Sequence, residues 1–218
     1  MEILVIAPHP DDEVLGCGGT MAKHSEEGDE VHLCIVTKAY TPDWSQNFIS
    51  KRSKEIENAC KVLGVKETQL LDLPTVKLDT IPQKDINQAI AKAVKNVNPD
   101  VVYIPYKGDL NMDHRIVYES SLVALRPMNN SVKRILAYEV LSETEWGKPI
   151  ASFYQNVYVD ISKTLKKKLN AMKEYASELK TPPHPRSLAV IEALACKRGS
   201  EAGMMYAEAF MLLREAIR

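Results

Sequence analysis

Short apolar runs alternate with longer amphipathic stretches along this chain. Residues 3–7 and 101–105 are almost continuously apolar, the pattern of strands buried on both faces. Residues 31–37 and 68–73 read as two further strands, the second closed by Pro74. The stretches between them have helical spacing. Residues 14–27 begin among acidic side chains and stop at Gly28, as helices do. Residues 51–63 form a charged amphipathic helix ended by Gly64, and 81–97 a helix ended by Asn98-Pro99, because the residue before proline avoids the helical region. Residues 114–125 make a helix stopped by Pro127. Further on, 134–140 and 156–161 look like strands, and 163–179 and 187–199 like helices. Residues 208–214 fit a closing strand or a helix equally well. Strands separated by helix-length segments predict β-α-β units and an α/β fold with a mostly parallel sheet.

No repeat, low-complexity tract or long linker interrupts this order, so the 218 residues are expected to form one domain. Hydrophobic residues make up 45% and charged residues 26% of the chain, and the net charge is −1. That balance gives no electrostatic basis for a nucleic-acid partner, since phosphate binding needs a basic surface. Cys17, Cys34, Cys60 and Cys196 are scattered with no C-x-x-C pair, which points to reduced thiols. The N-terminal apolar run has no basic segment before it, and so reads as a strand rather than a signal peptide. No apolar run approaches the roughly 20 residues that cross a bilayer, and the cytoplasm is the expected compartment.

The chemistry gathers where strands end. In open α/β sheets, ligands bind at the carboxyl ends of the strands. The first strand runs into Pro8-His9-Pro10-Asp11-Asp12-Glu13, one imidazole and three carboxylates before a helix whose positive end faces them. Catalytic zinc takes three protein ligands and leaves a position open. His9 and Asp12 supply two candidates. The fourth strand leads to Lys107-Gly-Asp-Leu-Asn-Met-Asp113-His114, and His114 opens the next helix in the corresponding place. These N and O donors also suit other divalent ions. Helix capping is the plain alternative for the acidic cluster. A histidine beside it, and a second Asp-His pair at a second strand end, argue against capping alone.

Other polar residues carry weaker signals. His24 reads as a surface residue and His32 as structural. His184 lies in the proline-rich loop 181–186 and is a candidate for facing substrate. Gly16, Gly18 and Gly19 do not have the G-x-G-x-x-G spacing of a dinucleotide loop, and read as close packing of a helix on a sheet.

The stretch A-P-H-P-D-D-E-V-L-G-C-G-G, with a D-H pair opening a helix far downstream, resembles the LmbE-like or PIG-L family of zinc-dependent N-deacetylases. Arg52 and Glu55, Leu71-Asp-Leu-Pro74, Arg198-Gly199 and Tyr206-Ala-Glu-Ala-Phe210 extend the likeness over nearly the whole chain. The resemblance implies a Rossmann-like three-layer sandwich and hydrolysis of an N-acetyl group on an N-acetylglucosamine-type sugar or its conjugate. It implies Zn2+ on His9, Asp12 and His114, Asp11 as general base, and substrate contact by Arg52. Family members with His-Pro-Asp-His have a histidine where this chain has Asn111. An asparagine amide donates a hydrogen bond but carries no charge, so His184 or Arg186 is a further candidate for stabilising the oxyanion. Asp113 is a candidate for orienting a ligand from behind. Arg52 and Arg186 are candidates for gripping hydroxyls or a phosphate, and Tyr40, Trp44 and Phe48 for an aromatic face under a sugar.

The resemblance makes a homo-oligomer plausible, and no membrane span is expected. Two rival classes stay open at this point: a metal-dependent phosphoesterase, which needs more ligands than these, and a non-catalytic nucleotide- or sugar-binding module, which needs no open metal site.

Overall fold

The computed structural model describes residues 1–128 and 130–217. The described strands form one seven-stranded sheet in the order β3-β2-β1-β4-β5-β7-β6. They are β1 Glu2–Ala7, β2 Glu30–Lys38, β3 Glu67–Pro74, β4 Val101–Pro105, β5 Arg134–Tyr138, β6 Val157–Asp160 and β7 Ala207–Glu215. The helices are α1 Asp12–Glu26, α2 Gln46–Leu63, α3 Gln83–Val97, α4 Met112–Ala124, α5 Leu165–Glu174 and α6 Leu188–Ala202.

The layering follows from β1. Ile3, Val5 and Ala7 face a core built with residues of α1, α2, α5 and α6. Leu4 and Ile6 face a second core with α3 and α4. Alternate residues of a strand point to opposite faces, so an uninterrupted apolar run means helices on both sides. This is the three-layer sandwich that the family resemblance implied.

Pairing of β1 with β2 and β4, of β2 with β3 and of β4 with β5 is parallel. β1 has β2 on one side and β4 on the other, so the strand order reverses there. This switch point opens a crevice at the carboxyl ends of β1 and β4. The loops after these two strands, residues 8–11 and 106–111, lead into α1 and α4.

The undecided segment near the C-terminus is a strand. β7 runs antiparallel between β5 and β6. Its first four residues are all buried, so no alternation marks it in the sequence. The helix expected over 163–179 is shorter, because the chain turns at Tyr175 (φ −81°, ψ 57°). The turn carries the Tyr175 hydroxyl to the buried Glu13 carboxylate, 2.6 Å away. α2 begins at Gln46 rather than 51, capped by the Ser45 hydroxyl, which accepts from the Phe48 N–H.

The glycines of α1 do pack closely. A Cβ on Gly16 would lie 2.2 Å from Tyr138 Cδ2, and one on Gly19 2.8 Å from Ile161 Cδ1. Cys17, Cys34 and Cys60 are buried free thiols, and Cys196 is exposed. Among the described residues, no helix is long and apolar enough to cross a membrane.

Candidate metal centre

The turn after β1 is built to a fixed shape. Thr37 at the end of β2 donates its backbone N–H and its hydroxyl to Pro8 O, at 3.0 and 2.8 Å. Arg52 Nη2 donates to Pro10 O at 2.7 Å. Asp11 sits at φ 113°, a conformation that costs a non-glycine residue about 1–3 kcal/mol and is kept where surroundings enforce it. Here the Glu13 carboxylate accepts the Asp11 N–H at 3.1 Å, and Asp11 O takes the first helical bonds from Val14 and Leu15. The strained residue leaves Asp12 as the first residue of α1, its carboxylate accepting from the His9 N–H at 2.9 Å.

The loop after β4 brings the third group. Asn111 caps α4, its side-chain oxygen accepting from the Asp113 N–H at 2.9 Å. His114, 1% exposed, then points into the crevice. His9 Nδ1 and Asp12 Oδ2 are 3.2 Å apart, His114 Nε2 and Asp12 Oδ2 3.1 Å, and His114 Nε2 and His9 Nδ1 3.2 Å. A tetrahedral zinc with bonds of about 2.0–2.2 Å sets edges of about 3.3 Å between its ligand atoms. The triangle therefore fits a small divalent cation, and His9 also lines the adjoining cavity.

Behind the triangle, each imidazole has its own carboxylate. His114 Nδ1 donates to Asp109 at 2.8 Å, and Asp109 also accepts from the Thr144 hydroxyl at 2.6 Å. His9 Nε2 donates to Asp113 at 3.1 Å, and Asp113 is held by the N–H groups of Val76 and Leu78 at 2.6 and 3.3 Å. Carboxylates on the outer nitrogen fix the ring orientation and tautomer of metal-binding histidines.

The electrostatics point the same way. Burial works against charge on Asp12, yet His114 and His9 hold it well below the usual carboxylate range. Burial also works against charge on His114, yet Asp12 and Asp109 push it well above the usual imidazole range. Buried carboxylates outnumber positive groups here, and the imidazole protons stand where a cation would serve. Asp11, 2% exposed, is raised to about 8 by burial and the charge of Asp12, against the pull of Arg186 and Arg52. Glu13 is raised to about 7 by burial, opposed by the Tyr175 hydroxyl.

Residues 4–125 match the family PIG-L: GlcNAc-PI de-N-acetylase. The chain belongs to the PIG-L family. It is 32% identical over 181 residues to the uncharacterized deacetylase YaiS of Escherichia coli (strain K12), covering 80% of this chain and 90% of that protein. It is 26% identical to a diacetylchitobiose deacetylase of Thermococcus kodakarensis, over 95% of this chain and 81% of that one. Among solved structures, the conserved protein TT1542 from Thermus thermophilus superposes with a TM-score of 0.81 at 26% identity, covering 100% of this chain and 97% of that one.

In this PIG-L chain, His9, Asp12 and His114 come together from two loops whose histidines are 105 residues apart. Asp11, Arg52, Asn111 and Arg186 join His9 around one cavity of about 300 Å³. Arg186 Nη1 donates to Asp11 at 3.3 Å and to Glu178 at 2.9 Å. Arg52 spends its guanidinium on Pro10 O, Ser177, Glu55 and Glu178. The Asn111 NH₂ group has no hydrogen-bond partner among the described residues, since the cap uses its oxygen. Trp44 and Phe48 line the cavity, while Tyr40 turns its hydroxyl to Asp72 O. His184 is exposed, and its Nδ1 accepts the N–H of Arg186 within its own loop. The structure does not bring it to the cavity.

Sequence reasoning missed the roles of Asp109, Thr144 and Glu178. Asp109 had a signal, an acid in the same short loop as His114. Glu178 had none, because its role depends on the turn after α5.

Proposed function

We propose that this chain is a metal-dependent N-deacetylase that hydrolyses the acetamide of an N-acetylglucosamine-type sugar or its conjugate, with Zn2+ held by His9, Asp12 and His114. The convergence of three ligand atoms at 3.1–3.2 Å, each imidazole backed by a carboxylate, carries this reading. Relatives of the chain are deacetylases by name, and an N-acetylated sugar fits a cavity that meets the triangle at a polar end. A bound zinc would supply a Lewis acid that polarises the acetyl carbonyl and acidifies water.

The chain's own residues do the rest. Asp11 stands beside Asp12 with its carboxylate at the cavity wall, and as general base it takes the proton of the attacking water. The same carboxyl, now protonated, returns a proton to the departing amine nitrogen. Arg186 steers Asp11 through its 3.3 Å contact and presents positive charge to the developing oxyanion, with the Asn111 NH₂ as an uncharged second donor. Asp109 and Asp113 hold His114 and His9 in the tautomers that leave Nε2 and Nδ1 free for the cation. Arg52 fixes the Pro10–Asp11 turn from behind and borders the sugar.

A two-metal phosphoesterase needs ligands for a second ion about 3.5–4 Å away, and the described residues of this crevice supply one three-ligand set. The test is acetate release from a panel of N-acetylglucosamine conjugates by protein whose zinc content is measured in the same preparation. Acetate release with about one zinc per chain is expected. No release from any conjugate by fully loaded protein would overturn the reading.

A further inference from the structure

After β5 the chain makes a tight turn against the loop that follows β4. The N–H groups of Glu143 and Thr144 donate to Val140 O at 3.1 and 2.9 Å, and the Thr144 hydroxyl accepts the Val140 N–H at 2.8 Å. Glu143 O accepts the Leu110 N–H at 3.2 Å. Ser142 is held at φ 78°, in the left-handed region that a serine enters only at a cost.

Three successive residues of this turn reach three different parts of the site. The Ser142 hydroxyl accepts from Arg186 Nε at 3.1 Å. The Glu143 carboxylate accepts the Asn111 N–H at 3.1 Å and lies 3.7 Å from Arg186 Nη2. The Thr144 hydroxyl donates to Asp109, the carboxylate behind His114. Arg186 is thereby gripped on two edges: Nη1 meets Asp11 and Glu178, while Nε and Nη2 face the turn. A planar guanidinium held on two edges has one orientation. Asn111 is also fixed twice, since its side-chain oxygen caps α4 and its N–H is held by Glu143. A turn that served folding alone would take glycine at the left-handed position. Serine keeps the strain and gives Arg186 an acceptor.

We propose that Ser142 and Glu143 are positioning residues: through them one turn sets Arg186 and Asn111 at fixed places about the metal triangle, where both meet the developing oxyanion. The oxyanion role rests on the deacetylase reading, whereas the placement of Arg186 by the turn does not. A reacting or stabilising group displaced by about 1 Å can lose on the order of 10²-fold in rate, so the effect belongs to kcat rather than to KM.

Ser142→Gly separates positioning from folding, because it relieves the backbone strain and removes the hydroxyl together. In zinc-loaded protein its urea midpoint should hold or rise, while kcat falls about 10- to 100-fold with KM nearly unchanged. Glu143→Gln keeps an oxygen for the Asn111 N–H but loses the charge facing Arg186, and should retain more kcat than Glu143→Ala. In an Arg186→Ala background, Ser142→Gly should cost less than about threefold more, because its partner is already gone. Acetate, the product, supplies a readout without turnover. Its Kd, measured by calorimetry on zinc-loaded protein, should weaken in Ser142→Gly and in Arg186→Ala, and no further when the two are combined. Wild-type kcat in Ser142→Gly, or a full second loss in the Arg186→Ala background, overturns the positioning role and leaves the deacetylase reading standing. A urea midpoint that falls in step with kcat while acetate binding stays unmoved also overturns it, since the turn then serves folding alone. No turnover by the wild type, with the coupled loss of acetate binding present, overturns the deacetylase reading and upholds the placement of Arg186 by the turn. Neither turnover nor coupled acetate binding overturns both.

Discussion

Asp11 and Asp109 share a residue type and a crevice but are placed for different tasks. Asp11 lies at the cavity wall in a strained backbone conformation (φ 113°) and contacts Arg186. Asp109 is fully buried behind His114. Asp11→Asn keeps the shape of the turn but removes the basic oxygen. It should retain zinc by metal analysis while kcat falls about 10²- to 10⁴-fold. Wild-type turnover in that variant would remove Asp11 from the proposed role. Asp109→Asn should do the opposite, weakening zinc about 10- to 100-fold in a chelator competition by loosening the His114 ring. The pair could be told apart in the sequence only by neighbourhood. Asp11 adjoins a ligand candidate, whereas Asp109 lies five positions before His114 with no periodicity to place its side chain.

α1 delivers Asp12 and is tied down along its length. Gly16 meets the Tyr138 ring, whose hydroxyl is bound to Ile6 O at 2.8 Å, so the ring has no freedom to retreat. Gly16→Ala and Gly19→Ala should each cost about 1–3 kcal/mol by overpacking. Gly18→Ala, where the nearest atom, Lys168 Cγ, is 3.1 Å away, should cost less. Urea midpoints of the three variants check the order. Lys168 of α5 is itself buried. It donates to Glu208 of β7 at 2.6 Å and to Leu15 O at 2.8 Å, while Glu208 accepts from the N–H groups of Gly19 and Thr20. This ion pair clamps the middle of α1 between α5 and β7. Lys168→Met should destabilise by about 3–5 kcal/mol, read in a thermal melt, because it leaves Glu208 buried and uncompensated. The three glycines pointed to close packing from spacing alone. The Lys168–Glu208 pair did not show, since its members lie 40 residues apart on an amphipathic helix and a strand without alternation.

At the scale of the molecule, the site exists because the sheet reverses its strand order between β1 and β4. That reversal sets two loops side by side and brings His9 and His114 within 3.2 Å. A cation bound there ties the two loops together, and anything that binds only the folded state stabilises it by mass action. Chelation should abolish acetate release and lower Tm, and one equivalent of zinc per chain should restore both. Recovery that needed two equivalents would favour a two-metal site instead.

The sequence by itself determined the alternation of strands and helices, because burial on two faces and helical amphipathicity are properties of neighbouring residues. It also pointed to His9, Asp12 and His114 as candidate donors, because a histidine beside acids recurs at two strand ends. Tertiary structure decided what depends on distance rather than order. The closing segment became a strand because a slot between β5 and β6 buried both its faces. The helix after 163 stopped at Glu174 because Tyr175 was needed at Glu13. Arg52 became a brace for the turn after β1, donating to Pro10 O at 2.7 Å. Each of these outcomes depends on contacts between segments far apart in the chain, and local pattern carries no record of them.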